Sequence, residues 1–405
     1  MDGSRSGPET SRKGAQRPCS EPTTSEGRCR RAQRAVGSVG SLGTWDRLAD
    51  RRSGAPARPD PGEALLILRP ICRNDLEPLV ALASLLDSVN LPSDREFLAA
   101  RIESSLRSFA GGIEDRRLGV YVFVLEDAAA GRVVGTSTIL AKHGTPGRPF
   151  YWLEVYTEER HSIELDRRFE HRKLRLRSTE DGATEIGGLI LEPGYRRDPR
   201  KCGKALSIVR FAYISAHPGR FERDVMAEML SPFEASGTNL LWEAFGARFT
   251  GLGYREADRL SVRSKSFIAD LFPRDPVYTT LFPPQVQAVI GEPGEMALPA
   301  VRILEKVGFR YLHQVDPFDG GPYYGAARDV IASVREHREL VLPSLSTEAE
   351  LFAEEPLALV SAEAALGFRA SVVPLDPRGT PSVSREVREA LGVKSGDAVA
   401  VTPLP

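Results

Sequence analysis

Residues 185–206 read Glu-Ile-Gly-Gly-Leu-Ile-Leu-Glu-Pro-Gly-Tyr-Arg-Arg-Asp-Pro-Arg-Lys-Cys-Gly-Lys-Ala-Leu, and their types and spacing suit anion chemistry. An apolar run of strand length, a basic loop and an apolar-periodic stretch behind it predict a strand that passes through a glycine-containing loop into a helix. The first turn of such a helix leaves backbone N–H groups without intrahelical partners, and their partial positive charge can hold a phosphate or pyrophosphate. Arg196, Arg197, Arg200, Lys201 and Lys204 stand within reach of the same anion. An ordinary strand–loop–helix connection with a solvated basic start would carry the same residues, so the surroundings must decide.

Two carboxylates stand in turn-like and strand-end contexts, where charged residues often serve structure. Glu228 lies in Val225-Met-Ala-Glu-Met229 and Asp319 in Phe318-Asp-Gly-Gly-Pro322, and the plain reading of both is an ordinary hydrogen-bonding role. The four cysteines, Cys19, Cys29, Cys72 and Cys202, form no C-x-x-C pair. Neither a zinc site nor a disulfide framework is indicated, and no metal is expected.

The elements that must position these groups follow from the patterning. Of the 405 residues, 41% are hydrophobic and 27% charged, with a net charge of -1. This is an ordinary globular balance with room for one large domain and a smaller one. No basic excess argues for a nucleic-acid or membrane-surface partner. No run approaches the ~18 apolar residues of a membrane span, and residues 1–30 hold no apolar signal core. A cytoplasmic location is expected.

Residues 1–62 carry twelve basic against seven acidic side chains and almost no large apolar ones, a composition that cannot offset the entropy of ordering, so a disordered tail is expected there. Order begins at Ala64-Leu-Leu-Ile-Leu68, a strand, followed by a helix on Leu76, Leu79, Val80, Leu82 and Ala83. A second helix opens at Ser93-Asp-Arg-Glu96, read as a capping box. Tyr121-Val-Phe-Val-Leu125 and Arg132 to Leu140 predict a hairpin. Residues 141–184 are polar and charged, with a basic cluster in the middle that suits a solvated face or a wall for phosphate or acyl groups. After residues 185–206, Asp224 to Leu230 predict a strand, residues 238–290 a mainly helical insertion, and Leu298 to Tyr311 a helix stopped at Gly308 before another strand. Residues 345–405 change to short β segments with one helix, a unit expected to form a small barrel-like C-terminal domain beside a main domain over 63–340.

Two likenesses follow from these residues. Arg200-Lys-Cys-Gly203-Lys-Ala205 resembles the coenzyme A pyrophosphate loop of the GNAT acyltransferases, and the order β-α-α-β-β-β-α-β-α-β resembles their topology, an α+β fold. More widely, residues 64–405 resemble the arginine N-succinyltransferase family. Leu68-Arg-Pro70, Leu91-Pro92, Leu98-Ala-Ala-Arg-Ile-Glu103, Tyr121-Val-Phe-Val-Leu-Glu-Asp127, Val225 to Met229, Ser266-Phe-Ile-Ala-Asp-Leu271, Ala288-Val-Ile-Gly291, Ala300 to Phe309 and Phe318 to Pro322 carry that likeness.

The resemblance implies transfer of succinyl from succinyl-CoA to the α-amino group of L-arginine, with ornithine as a second substrate type. It implies succinyl-CoA as co-substrate with no permanently bound cofactor, and an assembly of identical or paralogous subunits. It places the coenzyme on Leu189, Ile190, Arg200, Gly203 and Ala205, and the amine on Glu228 and Asp319. The family's proton-donating histidine falls, without gaps, on Gly294. Glu295 beside it and His161 in Arg160-His-Ser-Ile-Glu-Leu165 are the candidates for that task. The departure leaves open an acyl-CoA N-acyltransferase of other specificity, or a coenzyme A-binding subunit without catalysis.

Overall fold

The structure, a computed structural model, describes residues 65–85, 94–261, 264–343 and 356–405. The expected tail over 1–62, the Leu91-Pro92 motif and Ser93 lie outside those residues. The first half contains strand β1 (Leu66–Pro70), helices α1 (Leu76–Ala83) and α2 (Arg95–Phe109), strands β2 (Val120–Asp127), β3 (Arg132–Leu140), β4 (Phe150–Ser162), β5 (Arg167–Thr179) and β6 (Thr184–Leu191), helix α3 (Cys202–Ala216) and strand β7 (Asp224–Glu228). The cap of α2 is Asp94, whose carboxylate accepts from the Phe97 N–H at 2.8 Å; the neighbouring aspartate does the work expected of the serine.

Residues 238–290 are mainly helical, as their apolar stripe predicts. A π-helical turn at Trp242–Gly246 leads into α4 (Ala247–Thr250), α5 (Tyr254–Ser261) and α6 (Ser266–Leu271), then the short strand β8 (Val277–Tyr278) and α7 (Pro284–Val289). Their core gathers Leu241, Trp242, Phe245, Ile268, Phe272 and Phe318. Behind them come α8 (Leu298–Lys306), β9 (Arg310–Val315), β10 (Pro322–Ala327), α9 (Ala332–Arg335), β11 (Arg338–Val341), β12 (Leu357–Ala364), β13 (Gly367–Pro374), α10 (Arg385–Leu391) and β14 (Ala398–Pro403).

All fourteen strands of the described residues join one sheet in the order β11-β14-β12-β13-β1-β2-β3-β6-β7-β10-β9-β4-β5-β8. Two features differ from the sequence expectation. The polar stretch 141–184 contains a hairpin of two 13-residue strands, β4 and β5, paired from Phe150↔Thr179 to Ser162↔Arg167; its outer half has no apolar alternation because both of its faces meet solvent. The C-terminal strands do not close into a barrel. They continue the sheet through Leu68↔Ala370 between β1 and β13.

Helix α3 lies against the sheet, flanked by α8 and α9, and Cys202 and 205–214 are buried on every side. This is why its apolar residues show little one-sided periodicity. Phe109, Tyr121, Phe123, Tyr213 and Phe368 interlock around it with ring centroids 5.1–5.7 Å apart, mostly edge to face. No helix among the described residues is long and apolar enough to cross a membrane.

Candidate active site at a fork in the sheet

Strands β6 and β7 are parallel, and they pair at Thr184↔Val225 and Glu185↔Met226. Beyond those pairs β6 is held on its β3 side alone, with a bulge between Thr136 and Thr138. The bulge requires Gly188: its φ is +57°, and a Cβ there would lie 2.9 Å from Thr138 Oγ1. Gly187, Gly188 and Leu189 are consequently half-exposed in the middle of a fourteen-stranded sheet.

The alternation of the strand sorts the two residues expected to contact the acyl donor. Glu192 donates its N–H to Val134 at 2.9 Å, and the Leu191 carbonyl faces the other way, accepting from Arg196 Nε at 3.2 Å. By the two-residue period, Ile190 turns its backbone to β3 and Leu189 turns its backbone to the open fork. Ile190 is buried under α1 and α2, whereas Leu189 borders the α3 core.

The loop after β6 delivers the start of α3. Lys201 caps the helix in the left-handed region, φ 56°, with no side-chain cap. Arg200 does not extend outward: its guanidinium grips Asp198 through two bonds of 2.8 and 2.7 Å, and both side chains are buried. It braces the loop. Lys204 donates to the Pro405 carbonyl; burial first, then Lys306 and Lys201, hold its pKa below the usual value. Ala205 is buried against the sheet. At Gly203 a Cβ would meet only Leu191, at 3.8 Å, so packing inside the chain does not demand glycine there; a ligand approaching the helix start would.

Across the fork lies an acidic cluster. The carboxylates of Glu228, at the end of β7, and of Asp316 and Asp319, in the turn between β9 and β10, lie within 4.8 Å of one another. The Tyr323 hydroxyl bridges Asp316 Oδ2 at 3.1 Å and Glu228 Oε2 at 3.3 Å. Asp319 accepts the Ser231 N–H at 3.0 Å and the Gly321 N–H at 2.7 Å, and Gly321 must be glycine because a Cβ would fall 2.1 Å from the Met229 carbonyl. Helix α5 adds Asp258, whose Oδ2 is buried with no hydrogen-bond partner among the described residues.

Crowding of like charges in a dry site raises carboxyl pKa values. Burial, then Asp316 and Asp319, pushes Glu228 well above the usual range; burial, then Asp316, lifts both Asp319 and Asp258 to about 7. Lys265 opposes this at Glu228, and Lys265 with Arg259 opposes it at Asp258. Four carboxylates against the Lys265 ammonium and the Arg259 guanidinium leave the site short of positive charge. Three of them could chelate a metal ion, but both oxygens of Asp319 and of Asp316 already accept hydrogen bonds. A hard cation seeking six or more oxygens finds that set incomplete, whereas the N–H donors of a guanidinium or ammonium match it.

Thus Glu228 and Asp319 come together, and with Leu189 they border the fork. Asp316, Asp258 and Tyr323 were not foreseen; the aspartate three residues before Asp319 and the tyrosine following Pro322 were the available signals. His143 is another. Its Nδ1 bonds to Glu185 at the closed end of the fork, and although burial pushes Glu185 up, His143 holds it below its usual value.

The two expected proton carriers are placed differently. His161 is exposed on β4 opposite Arg168, seven residues and therefore about 23 Å of strand beyond Glu154, the last β4 residue paired with β9. The structure does not bring it to the cluster. Glu295 is exposed on a loop that docks through the Gly294 N–H on the Leu230 carbonyl at 2.8 Å. At Gly294 itself a Cβ would lie 2.7 Å from the Ser231 carbonyl oxygen, so no side chain fits while this backbone contact holds.

A sequence profile described as "Arginine N-succinyltransferase beta subunit" matches residues 66–333. The chain belongs to the arginine N-succinyltransferase family. It is 34% identical to the arginine N-succinyltransferase of Enterobacter sp. (strain 638) over 344 residues, 84% of this chain and 98% of the relative. The likeness to that of Citrobacter koseri is 34% over 345 residues, with the same coverage. The solved structure of arginine/ornithine succinyltransferase subunit AI from Pseudomonas aeruginosa superposes with a TM-score of 0.73 at 29% identity, covering 84% of this chain and 99% of that one. The fold is therefore the α+β, GNAT-like fold of arginine N-succinyltransferases.

Proposed function

We propose that the chain transfers succinyl from succinyl-CoA to the α-amino group of L-arginine, with the coenzyme in the β6/β7 fork and the amine over the acidic cluster. The observation that carries this reading is the opening of the fork directly beside Glu228, Asp316 and Asp319. The pyrophosphate rests on the start of α3 around Gly203, and the pantetheine arm follows the open edge of Leu189. The Leu189 N–H faces the thioester oxygen as negative charge grows on it, a contribution of about 3 kcal/mol in comparable sites.

The cationic substrate supplies the charge that the cluster lacks. When a guanidinium or ammonium enters, the raised carboxyl pKa values fall, the shared protons leave, and Glu228 becomes a base beside the amine. It takes one proton from the ammonium, the neutral nitrogen attacks the thioester carbon, and the C–S bond breaks. The second proton lost by the nitrogen goes to the departing thiolate, giving free coenzyme A and the amide. In this scheme Glu228 is the base, and the amine itself supplies the proton that the thiolate needs, so no side chain at position 294 is required. Glu228→Gln keeps the shape and removes the base; thiol release from succinyl-CoA and arginine should drop about 100-fold. An unchanged rate would remove Glu228 from the mechanism.

A further inference from the structure

Arg210 is a buried cation that the mechanism above leaves unused. It lies on α3, 3% exposed, among Leu206, Phe211 and Ile214. Its Nε donates to the Ser207 carbonyl at 3.1 Å, Nη2 to Ser207 Oγ at 2.8 Å, and Nη1 reaches toward the Gly187 carbonyl at 3.5 Å. A guanidinium has five N–H donors, so two here have no partner, and among the described residues no carboxylate pairs with it. Burial pushes its pKa down to about 9, which leaves it charged at neutral pH. An uncompensated buried charge is costly unless something pairs with it.

Its position says what that partner is. Gly187 is the second residue past the last β6–β7 pair, and a Cβ on it would meet only Glu185 Oε1, at 3.7 Å, so space opens there. Arg210 is eight residues, about 12 Å, along α3 from Cys202. Gly187 is four residues, about 13 Å, along β6 from Leu191. Both place the guanidinium one pantetheine arm deep from the pyrophosphate loop, where the acyl group of the donor ends. A donor with a second carboxylate brings the missing negative charge to this point.

We infer that Arg210 selects the acyl donor by pairing with the distal carboxylate of a dicarboxylic thioester such as succinyl-CoA. This rests on the fork being the acyl-CoA site. Binding of succinyl-CoA, butyryl-CoA and free coenzyme A to the full chain, measured by calorimetry for the natural protein and for Arg210→Met, separates the two. The natural chain should prefer succinyl-CoA to its neutral isostere butyryl-CoA, and Arg210→Met should reduce that preference by roughly 10- to 100-fold, as expected when hydrogen bonds to a charged group are lost, with coenzyme A affinity kept. Equal weakening of all three ligands, or an unaltered preference, would overturn the assignment. If Arg210→Met does not fold, Arg210→Lys decides by the same ratio: charge without the planar fork should lose most of the preference. Failure of the natural chain to bind coenzyme A would instead overturn the acyl-CoA reading of the fork.

Discussion

At the scale of single residues, the protonation of the acidic cluster and the occupancy of position 294 make separate predictions. Asp319 and Asp258 hold their protons in the folded chain up to about pH 7, where an unfolded chain has already lost them. The stability they contribute is fully present below the usual carboxylate range and disappears as pH rises through about 7. The melting temperature of the unliganded protein should therefore fall between about pH 4 and about pH 7, and Asp319→Asn should flatten that decline. L-Arginine should raise the melting temperature more at the upper end, because a cation favours the ionised carboxylates. At position 294, introducing a histidine by Gly294→His forces a side chain against the Ser231 carbonyl. It should cost about 1–3 kcal/mol in denaturant unfolding and bring no gain in thiol release; a faster, equally stable variant would contradict the geometry. The sequence showed the glycine but not the reason for it, since the Leu230–Ser231 backbone that fills the space is some sixty residues away in the chain.

At the scale of elements, the fork depends on which backbone groups of β6 face it. Leu189→Pro removes an N–H on the open edge, where proline is tolerated in a sheet, whereas Ile190→Pro removes one from the β3 ladder. The first should fold with a near-normal melting temperature and lose turnover; the second should be strongly destabilised. Equal behaviour of the two in circular-dichroism melts would contradict the assignment of facing. Strand β6, helix α3 and strand β7 were legible in the sequence because apolar runs and glycines bound them closely. The fork was not, because divergence of two parallel strands is set by the bulge at Gly188 and by what each strand pairs with on its far side. The β4–β5 hairpin was missed for a different reason. Its outer strands carry charges on both faces, so the alternation that marks a half-buried strand never appears.

At the scale of the whole molecule, the C-terminal strands and the acyltransferase core share one sheet and one aromatic cluster. Phe368 of β13 contacts Phe123 and Tyr213 at 5.7 and 5.1 Å between ring centroids, so residues 356–405 should unfold together with the core. Phe368→Ala should lower global stability by about 3–5 kcal/mol with coincident transitions by fluorescence and circular dichroism; two separate transitions would mark an independently folding C-terminal domain. The family was legible over most of the chain because its motifs run through α2, β2, α6 and α8 as well as the turns at the acidic cluster. The acidic cluster was not, since Glu228, Asp258 and the Asp316–Tyr323 segment are far apart in the sequence and only the folded chain collects them. The most direct measurement of the central claim is thiol release by the full chain with succinyl-CoA, with and without L-arginine. The fork and the acidic cluster predict release that requires the amine, exceeds that with acetyl-CoA, and is largely lost in Glu228→Gln. Release independent of arginine, or none while coenzyme A still binds, would contradict it.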